Sequence, residues 1–241
     1  MKIGIITDVH NNVLALIEIL KKFDAENCEK IICCGDIIGI GPYPEQTVRK
    51  IMEIPELLAV KGNHDRYFVE SMPTDIPNDE YMELGEMEHH KWEHKLLSKQ
   101  SYDFLKSLPL RIDIVIENVK ITILHYCMNK QNKYVKITKN PTIQDCYNMF
   151  YDIDSGVIIY GHDHIRAINK DDKRLFINCG PLGCPSKKYN IARGGILTVS
   201  NGNATIEPIE VTYDVEKVIN EIDSLNYPDT LLIKRVFYDK I

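Results

Sequence analysis

Long apolar runs are absent from this sequence of 241 residues. No stretch approaches the roughly 20 consecutive apolar residues that a membrane helix needs. The apolar run that follows Met1 reaches Asp8 within a few residues, so it is too short for the core of a secretory signal peptide. Internal repeats and low-complexity tracts are missing as well. We therefore expect a cytoplasmic protein that does not interact with a membrane.

The sequence contains seven cysteines but no Cys-x-x-C pair. An odd number of cysteines without a secretion signal is typical of a reducing compartment. The missing pair argues against a zinc site made of thiolates. We expect most of these cysteines to act as small buried apolar side chains.

Positive charge is also scarce, because the formal net charge is −6. A protein that binds nucleic acid through its general surface is usually basic. No basic stripe with interleaved aromatic residues is present, which disfavours a nuclease. A small anionic substrate remains compatible with this composition, since bound metal ions can reverse the local field.

The composition is that of an ordinary folded domain, with 44% hydrophobic and 27% charged residues. We predict one domain over residues 1–241, which includes a helical insertion at about 72–109. This insertion begins irregularly around Pro73 and Pro77 and then becomes helix-permissive from Tyr81 to Leu108. Long insertions in compact domains often act as lids, and we expect this one to lie near the active site.

Three apolar runs in the first part of the chain predict buried strands, each followed by a polar residue: Lys2 to Thr7 before Asp8, Ile31 to Cys34 before Asp36, and Leu57 to Val60 before Asn63. Helical patterns that begin after Asn12 and at Pro44 separate these runs. This alternation predicts an α/β fold with crossover helices. In such folds the ligand site lies beyond the carboxyl ends of the strands.

The second half of the chain is predicted to be rich in strands. One apolar run ends at His125, and another ends at Gly161 just before His162. An Asn-Gly-Asn turn around Gly202 predicts a hairpin between two late strands. The tail is predicted to form a helix over Val215 to Leu225 and a final strand over Leu231 to Phe237.

Five short segments carry the polar residues at these strand ends: Asp8-Val9-His10, Gly35-Asp36, Gly62-Asn63-His64-Asp65, His125, and Gly161-His162-Asp163-His164. Carboxylate, imidazole and amide oxygen ligands suit transition metals such as Mn, Fe or Zn. Taken singly, Asp8 or Asn63 could equally serve as a turn or cap residue. The joint occurrence of five such segments favours a metal site. A glycine before Asp36, Asn63 and His162 would let the backbone bend sharply at the ligand.

The five-segment pattern resembles that of the calcineurin-like metallophosphoesterase superfamily. The resemblance is greatest to its small bacterial and archaeal phosphodiesterase branch and runs from Lys2 to about Val211. It implies a four-layer α-β-β-α sandwich of two mixed sheets with two divalent metal ions at its rim. Mn²⁺ is favoured over Fe, Zn, Ni or Co.

Carried over to this sequence, the resemblance assigns seven metal ligands and one catalytic residue. One ion takes Asp8, His10 and His164, and the other takes Asn63, His125 and His162. Asp36 bridges both ions. His64 faces the phosphate, where it would protonate the departing oxygen or stabilise its charge.

The implied activity is hydrolysis of a phosphoester by a hydroxide that bridges the two metal ions. The expected substrate is a small phosphodiester or nucleotide. Alternatives are a phosphomonoesterase, a protein phosphatase, and a scaffold protein that kept the fold and lost the chemistry. The protein phosphatase is disfavoured because the stretch from Gly35 to Gly41 has no arginine to grip phosphate. A homo-oligomer remains open.

For several further residues the sequence allows two roles. Asp65 could orient His64 or cap a turn, and Arg66 could bind phosphate or form a salt bridge. Asp163, which stands where the family usually has threonine, could add negative charge or orient a ligand histidine. Three more histidines fall in the predicted insertion, where a solvated helix face is favoured over a third metal site: His89, His90 and His94.

Overall fold

The computed structural model describes residues 1–78, 80, 82–184 and 190–239. In chain order its elements are β1 (Lys2–Ile6), α1 (Val13–Ala25), β2 (Lys30–Cys33), α2 (Pro44–Met52), β3 (Leu57–Ala59), α3 (Asn63–Val69), α4 (Leu84–His94), α5 (Lys99–Ser107), β4 (Arg111–Ile116), β5 (Val119–Leu124), α6 (Ile143–Met149), β6 (Val157–Ile159), β7 (Ala167–Lys170), β8 (Leu175–Asn178), β9 (Ile191–Ser200), β10 (Asn203–Thr212), α7 (Val215–Leu225) and α8 (Thr230–Phe237). No helix in these described ranges is both long and apolar enough to span a bilayer.

The strands form two mixed sheets of five strands each. The first sheet has the order β10-β9-β1-β2-β3, in which β1, β2 and β3 run parallel and β9 is antiparallel to β1. The second has the order β4-β5-β6-β8-β7, in which β5, β6 and β8 run parallel. Each sheet therefore has parallel strands at its centre, whose carboxyl ends share one edge.

The two sheets pack face to face through one apolar layer, which includes Ile5 and Ile32 from the first sheet and Ile121 and Ile177 from the second. Helices α1, α2 and α7 cover the outer face of the first sheet. The short helix α6 covers the outer face of the second through Cys146. This arrangement confirms the predicted α-β-β-α sandwich.

Several predicted elements are confirmed with their boundaries. The Asn12 side chain accepts a hydrogen bond from the Ala15 backbone at 3.1 Å and caps α1. Helix α2 begins at Pro44, and α7 spans Val215–Leu225. The predicted hairpin joins β9 to β10, and Gly202 takes φ +77° in its turn.

The predicted final strand is wrong, because Thr230–Phe237 forms helix α8. Ile233 and Phe237 are four residues apart and therefore share one face, which packs toward the core. Leu231 lies on another face and is 80% exposed. The cluster of apolar residues is compatible with a strand by composition, but its burial follows the helical period. Helix α6 and strand β7 were not predicted as separate elements.

The segment predicted as an insertion contains helices α4 and α5. The predicted start of its helix, Tyr81, lies outside the described residues. Buried residues of α4 include Met87 and Glu93, so this helix contributes to the interior. Its action as a lid stays a prediction.

Candidate metal centre

The candidate centre lies where the carboxyl ends of the parallel strands in the two sheets come together. The segments that follow five strands supply the seven ligands expected from the sequence: Asp8 and His10 after β1, Asp36 after β2, Asn63 at the start of α3 after β3, His125 after β5, and His162 and His164 after β6. All seven side chains converge in the folded chain. They form two groups that share one residue.

The first group consists of Asp8, His10, Asp36 and His164, whose candidate ligand atoms all lie within 4.8 Å of one another. The Nε2 atoms of His10 and His164 are 3.0 Å apart. The Nε2 of His10 lies 3.7 Å from Asp36 Oδ2, and that of His164 lies 3.5 Å from Asp8 Oδ1. Four nitrogen and oxygen donors thus surround one point.

The second group consists of Asp36, His125 and His162, joined by Asn63. His125 Nε2 lies 3.2 Å from Asp36 Oδ2 and 3.1 Å from Asn63 Oδ1. His162 Nδ1 lies 3.0 Å from the same Asn63 oxygen. Oxygen Oδ2 of Asp36 therefore stands between His10 and His125, one from each group, as a bridging ligand would.

The donor set fits a bound cation. His10 Nδ1 donates to the Ile38 carbonyl at 3.1 Å, and His125 Nδ1 donates to the Cys34 carbonyl at 2.7 Å. If each ring is neutral, these bonds leave Nε2 unprotonated, with a free lone pair. His125 Nε2 then faces the oxygen acceptors of Asp36 and Asn63, and such facing acceptors repel unless a cation lies between them. Backbone carbonyls that fix the opposite ring nitrogen are characteristic of metal-binding histidines.

Several pKa shifts in the centre also show that its carboxylates favour nearby positive charge. Burial alone would raise the pKa of Asp8, but hydrogen bonding and charge from His164 lower it to about 2. Burial alone would lower the pKa of His125, but the Asp36 carboxylate raises it to about 9. Burial instead lowers the pKa of His162 to about 4. Protons therefore occupy only part of the donor set when no metal does, and metal binding would displace them.

The backbone of the centre is held in an unusual conformation. Five of the seven residues have a left-handed φ although none is glycine: Asp8 (51°), His10 (46°), Asp36 (51°), His162 (77°) and His164 (54°). Such residues cost free energy and persist where surrounding contacts enforce them, which occurs most often at functional sites. These sharp turns follow β1, β2 and β6.

The glycines before the ligands serve two purposes. Gly35 has φ +93°, which matches the predicted bend. Gly62 and Gly161 are needed for space instead. A Cβ at Gly62 would lie 2.0 Å from Asp36 Oδ1, and one at Gly161 would lie 1.8 Å from Thr7 Oγ1.

His64 lies beside the centre in the first turn of α3. Its backbone N–H donates to Asp36 Oδ1 at 3.0 Å. Its ring meets that of His10 edge-on at a centroid distance of 4.9 Å. Burial holds the pKa of His64 well below its ordinary value. His64 and Asn63 point in different directions because successive helical residues are rotated by about 100°.

Sequence comparison agrees with this geometry. The pattern of the calcineurin-like phosphoesterase superfamily domain matches residues 1–202 of the chain. The chain belongs to this superfamily.

Relatives of this calcineurin-like phosphoesterase chain are similar along nearly their whole length. An uncharacterized protein of Methanocaldococcus jannaschii is 28% identical over 244 residues, which cover 95% of each chain. A solved metallophosphoesterase from Sphaerobacter thermophilus is 24% identical with a TM-score of 0.74 and covers 98% of this chain and 97% of its own. A hypothetical protein from Pyrococcus horikoshii is 16% identical, with a TM-score of 0.81 and the same coverage. The two structures show the shared fold.

Asp65 supports the loop that follows Asp36. Its Oδ1 accepts hydrogen bonds from the backbone of Ile37 at 3.0 Å and Ile38 at 3.2 Å, and its Oδ2 accepts one from Gly62 at 2.9 Å. Burial raises its pKa to about 6. Of its two predicted roles, these contacts match the cap, since none of them involves His64.

Arg66 matches the salt-bridge interpretation. Its Nε donates to Glu70 at 2.9 Å, and another guanidinium nitrogen donates to the Asn132 carbonyl at 2.8 Å. Asp163 Oδ1 accepts hydrogen bonds from the backbone of Ile165 in its own turn at 3.1 Å and from the side-chain amide of Asn178 in β8 at 2.5 Å. Within the described part of the chain, neither Arg66 nor Asp163 forms a hydrogen bond to a candidate ligand histidine.

The prediction of a solvated histidine face on α4 is wrong. His90 is fully buried and His89 is 3% exposed. His90 Nδ1 lies 3.2 Å from the buried carboxylate of Glu93. The other oxygen of Glu93 accepts hydrogen bonds from the Asn11 side chain and from the Gly39 backbone. A charged and polar helix sequence suggested solvent exposure, but these partners come from distant loops.

Sequence reasoning also missed Cys184, which is fully buried. Its sulfur lies 3.4 Å from His164 Nδ1 and forms a group of candidate ligands with His10 and His164. The charge of these histidines lowers the pKa of Cys184 although burial opposes it. No local signal marks this residue, because the contact forms only when the loop after β8 returns to the β1 end.

Glu93→Gln is expected to destabilise the protein by about 3 kcal/mol, because removing one member of a buried ion pair leaves the other charge uncompensated. Burial alone would lower the pKa of His90, but the carboxylates of Glu86 and Glu93 raise it from 6.5 to about 9. This stabilisation should be fully present below pH 6.5 and should disappear as pH rises through 9. Urea unfolding from pH 6 to 9 measures it. Equal stability of Glu93→Gln and the parent at pH 6 would contradict a structural ion pair, and Glu88→Gln on the exposed face of α4 is the control.

Proposed function

We propose that this protein hydrolyses a phosphoester with the help of two divalent metal ions, and that its substrate is a small phosphodiester or a nucleotide. The observation that supports this proposal is the pair of donor groups that share Asp36, with His64 beside them. One ion would take Asp8, His10 and His164, and the other would take Asn63, His125 and His162. The mixed donor set favours Mn²⁺.

Bound ions of this kind clamp the oxygens of a phosphate and lower the pKa of a water molecule, which supplies the nucleophile. The two carboxylates of Asp8 and Asp36 only partly offset the charge of two divalent ions. The centre would therefore attract a phosphate although the chain as a whole is acidic.

His64 supplies the general acid in this proposal. The hydrogen bond from its backbone to Asp36 fixes the start of α3 against the centre. Its ring lies outside both ligand groups and lines a cavity that opens beside His164. Burial disfavours the protonated ring, but a bound phosphate would favour it through opposite charge. The ring could then give its proton to the departing oxygen.

Two of the cavities at the centre offer room for the rest of a substrate. The larger of these two, of about 730 Å³, is bordered by Asn63 and His162 and includes Lys136 and Lys139. These lysines suit additional negative charge, as a nucleotide would carry, although Glu80 and Glu86 line the same cavity. The smaller lies near His64 and His164 and shares Glu86 with the larger.

A phosphomonoesterase or protein phosphatase is the second enzymatic candidate, and a scaffold is the non-enzymatic one. Neither gains a specific observation here. Arg66, the nearest arginine in sequence to His64, pairs with Glu70. A scaffold has no need of a complete donor set or of strained backbone at five of its members.

Reconstitution with Mn²⁺ is expected to give about two ions per chain, because two donor groups share one bridging carboxylate. Elemental analysis after removal of free metal measures the ratio. The same preparation should hydrolyse chromogenic diesters and lose activity with a chelator. A ratio of one or none at saturating Mn²⁺ would contradict the two-metal proposal. Two bound ions without hydrolysis of any diester, monoester or nucleotide would favour the scaffold.

A further inference from the structure

The cavity beside His64 and His164 has a chemistry different from that of the metal centre. Its volume is about 230 Å³, below the roughly 300–1,000 Å³ typical of sites for drug-sized ligands. Ile40 and two residues of α8, Ile233 and Phe237, provide an apolar wall. A ligand group that enters here must therefore be small and partly apolar.

Carboxylates define the outer part of this cavity. Glu86 from α4 and Asp229, just before α8, both line it. The Glu86 side chain is 40% exposed, which places it toward solvent. Burial raises the pKa of Asp229, and the nearby carboxylates of Glu83 and Glu86 raise it further. Asp229 has no salt-bridge partner among the described residues, so the negative charge at this position is not neutralised from within.

A buried polar atom is also left without a partner at this cavity. His90 is fully buried, and its Nε2 forms no hydrogen bond to any described residue. The Glu86 carboxylate is 3.9 Å from this nitrogen, too far for a hydrogen bond. An unmade hydrogen bond in the interior costs free energy, and because both nitrogens of a protonated His90 ring are donors, an acceptor such as the hydroxyl oxygen of a ligand would recover it.

We propose that this cavity binds the alcohol released by the reaction, and that this alcohol is a small amino alcohol with a protonated amine. The inference rests on the proposed hydrolysis, in which His64 protonates the leaving oxygen. The leaving group must then extend from the phosphorus past His64, into the cavity that His64 lines. Its carbon atoms would contact Ile233 and Phe237, and its ammonium group would lie at Glu86 and Asp229.

The two cavities differ in their basic side chains. Lys136 and Lys139 line the larger cavity together with Glu80, and Glu86 lines both cavities. The smaller cavity is lined by Glu86 and Asp229 and, among the described residues, by no lysine or arginine. An anionic leaving group, such as a nucleotide, would meet these carboxylates, of which only Glu86 lies near a cationic partner, His90. This lining favours a cationic leaving alcohol, with any additional anionic group at the lysines of the larger cavity.

The test compares three phosphate esters of equal chain length on the Mn²⁺-loaded protein: 2-aminoethyl, 2-hydroxyethyl and carboxymethyl phosphate, each as the monoester and as its methyl diester. The rate of alcohol release, measured over a range of ester concentrations, gives kcat/KM for each ester. Solvent-exposed ion pairs contribute up to about fivefold each. We expect kcat/KM for the aminoethyl ester to exceed that for the hydroxyethyl ester about tenfold. The carboxymethyl ester should be the poorest substrate.

Variants connect this preference to the cavity. Glu86→Gln should lower the preference about threefold, and the double change with Asp229→Asn should abolish it. Glu86→Lys should shift the preference toward the carboxymethyl ester. Glu80→Gln is the matched control, because Glu80 lines the larger cavity and not the smaller one. It removes the same charge and should leave the preference unchanged.

Calorimetric binding of the three esters distinguishes the two proposals. Hydrolysis of all three without preference, or a preference insensitive to Glu86→Gln, would overturn the cavity assignment while leaving the hydrolase intact. Preferential binding of the aminoethyl ester that depends on Glu86, without turnover, would support the cavity and contradict the hydrolase. A third Mn²⁺ per chain that disappears in Glu86→Gln would show that Glu86, His64 and His90 hold a metal, and would overturn the assignment.

Discussion

His64→Ala is expected to lower kcat for an alkyl phosphoester by roughly 100- to 10,000-fold, the usual contribution of a general acid. Both metal ions should remain bound. Alanine keeps the backbone N–H that donates to Asp36 Oδ1, and the seven candidate ligands are untouched. The loss should be largest for poor leaving groups, because these depend most on protonation. An aryl ester should suffer less, since its phenolate leaves unaided.

The measurement is kcat for an alkyl and an aryl ester, with metal content determined on the same preparation. His94→Ala provides the control, because it removes a histidine of α4 that packs against Phe68. Equal losses on both esters would show that His64 stabilises phosphate charge without donating a proton. Loss of an ion would show that His64 is a ligand.

Asp36→Asn is expected to reduce activity more than Asp8→Asn. Asp36 belongs to both donor groups, whereas Asp8 belongs to one. The amide would remove one negative charge and could place an N–H group opposite His125 Nε2. Loss of a residue behind the ligands typically costs roughly 10- to 100-fold in metal affinity or activity, and loss of a bridging ligand should exceed this range.

Activity and bound Mn²⁺ should be measured for both variants over a metal titration. Asp163→Asn is the matched control, because it makes the same change at a buried carboxylate that bonds to Asn178 and Ile165. A rate near normal in Asp36→Asn, or a greater loss in Asp8→Asn, would show that Asp36 is not the bridge. Thermal unfolding checks that each variant is folded.

The candidate centre was readable in the sequence because its geometry is largely local. Each ligand follows a short apolar run, and the carboxyl ends of parallel strands lie at one edge of a sheet. Asp8, Asp36 and Asn63 could therefore be placed together before any contact was known. Helix starts at Asn12 and Pro44 were readable for the same reason, since capping and fixed φ act within a few residues.

Helix α8 shows where local reasoning fails. Leu231 to Phe237 has enough apolar residues for a strand, and only burial decides between the two periods. The packing of Ile233 and Phe237 on one side selects the helix. The prediction that the histidines of α4 are exposed to solvent failed for a related reason. Charged neighbours predicted solvent, but distant groups at Asn11 and Gly39 hold Glu93 in the interior.

The sequence by itself determined the layered α/β class, the superfamily resemblance and the seven residues that converge. These depend on strand ends, glycine positions and residue types that act over short distances. Only the tertiary structure decided that Asp65 supports a loop, that Cys184 reaches His164, and that α4 and α8 enclose an acidic cavity beside His64. Those features join segments far apart in the chain, and their partners are set by packing that no local pattern encodes.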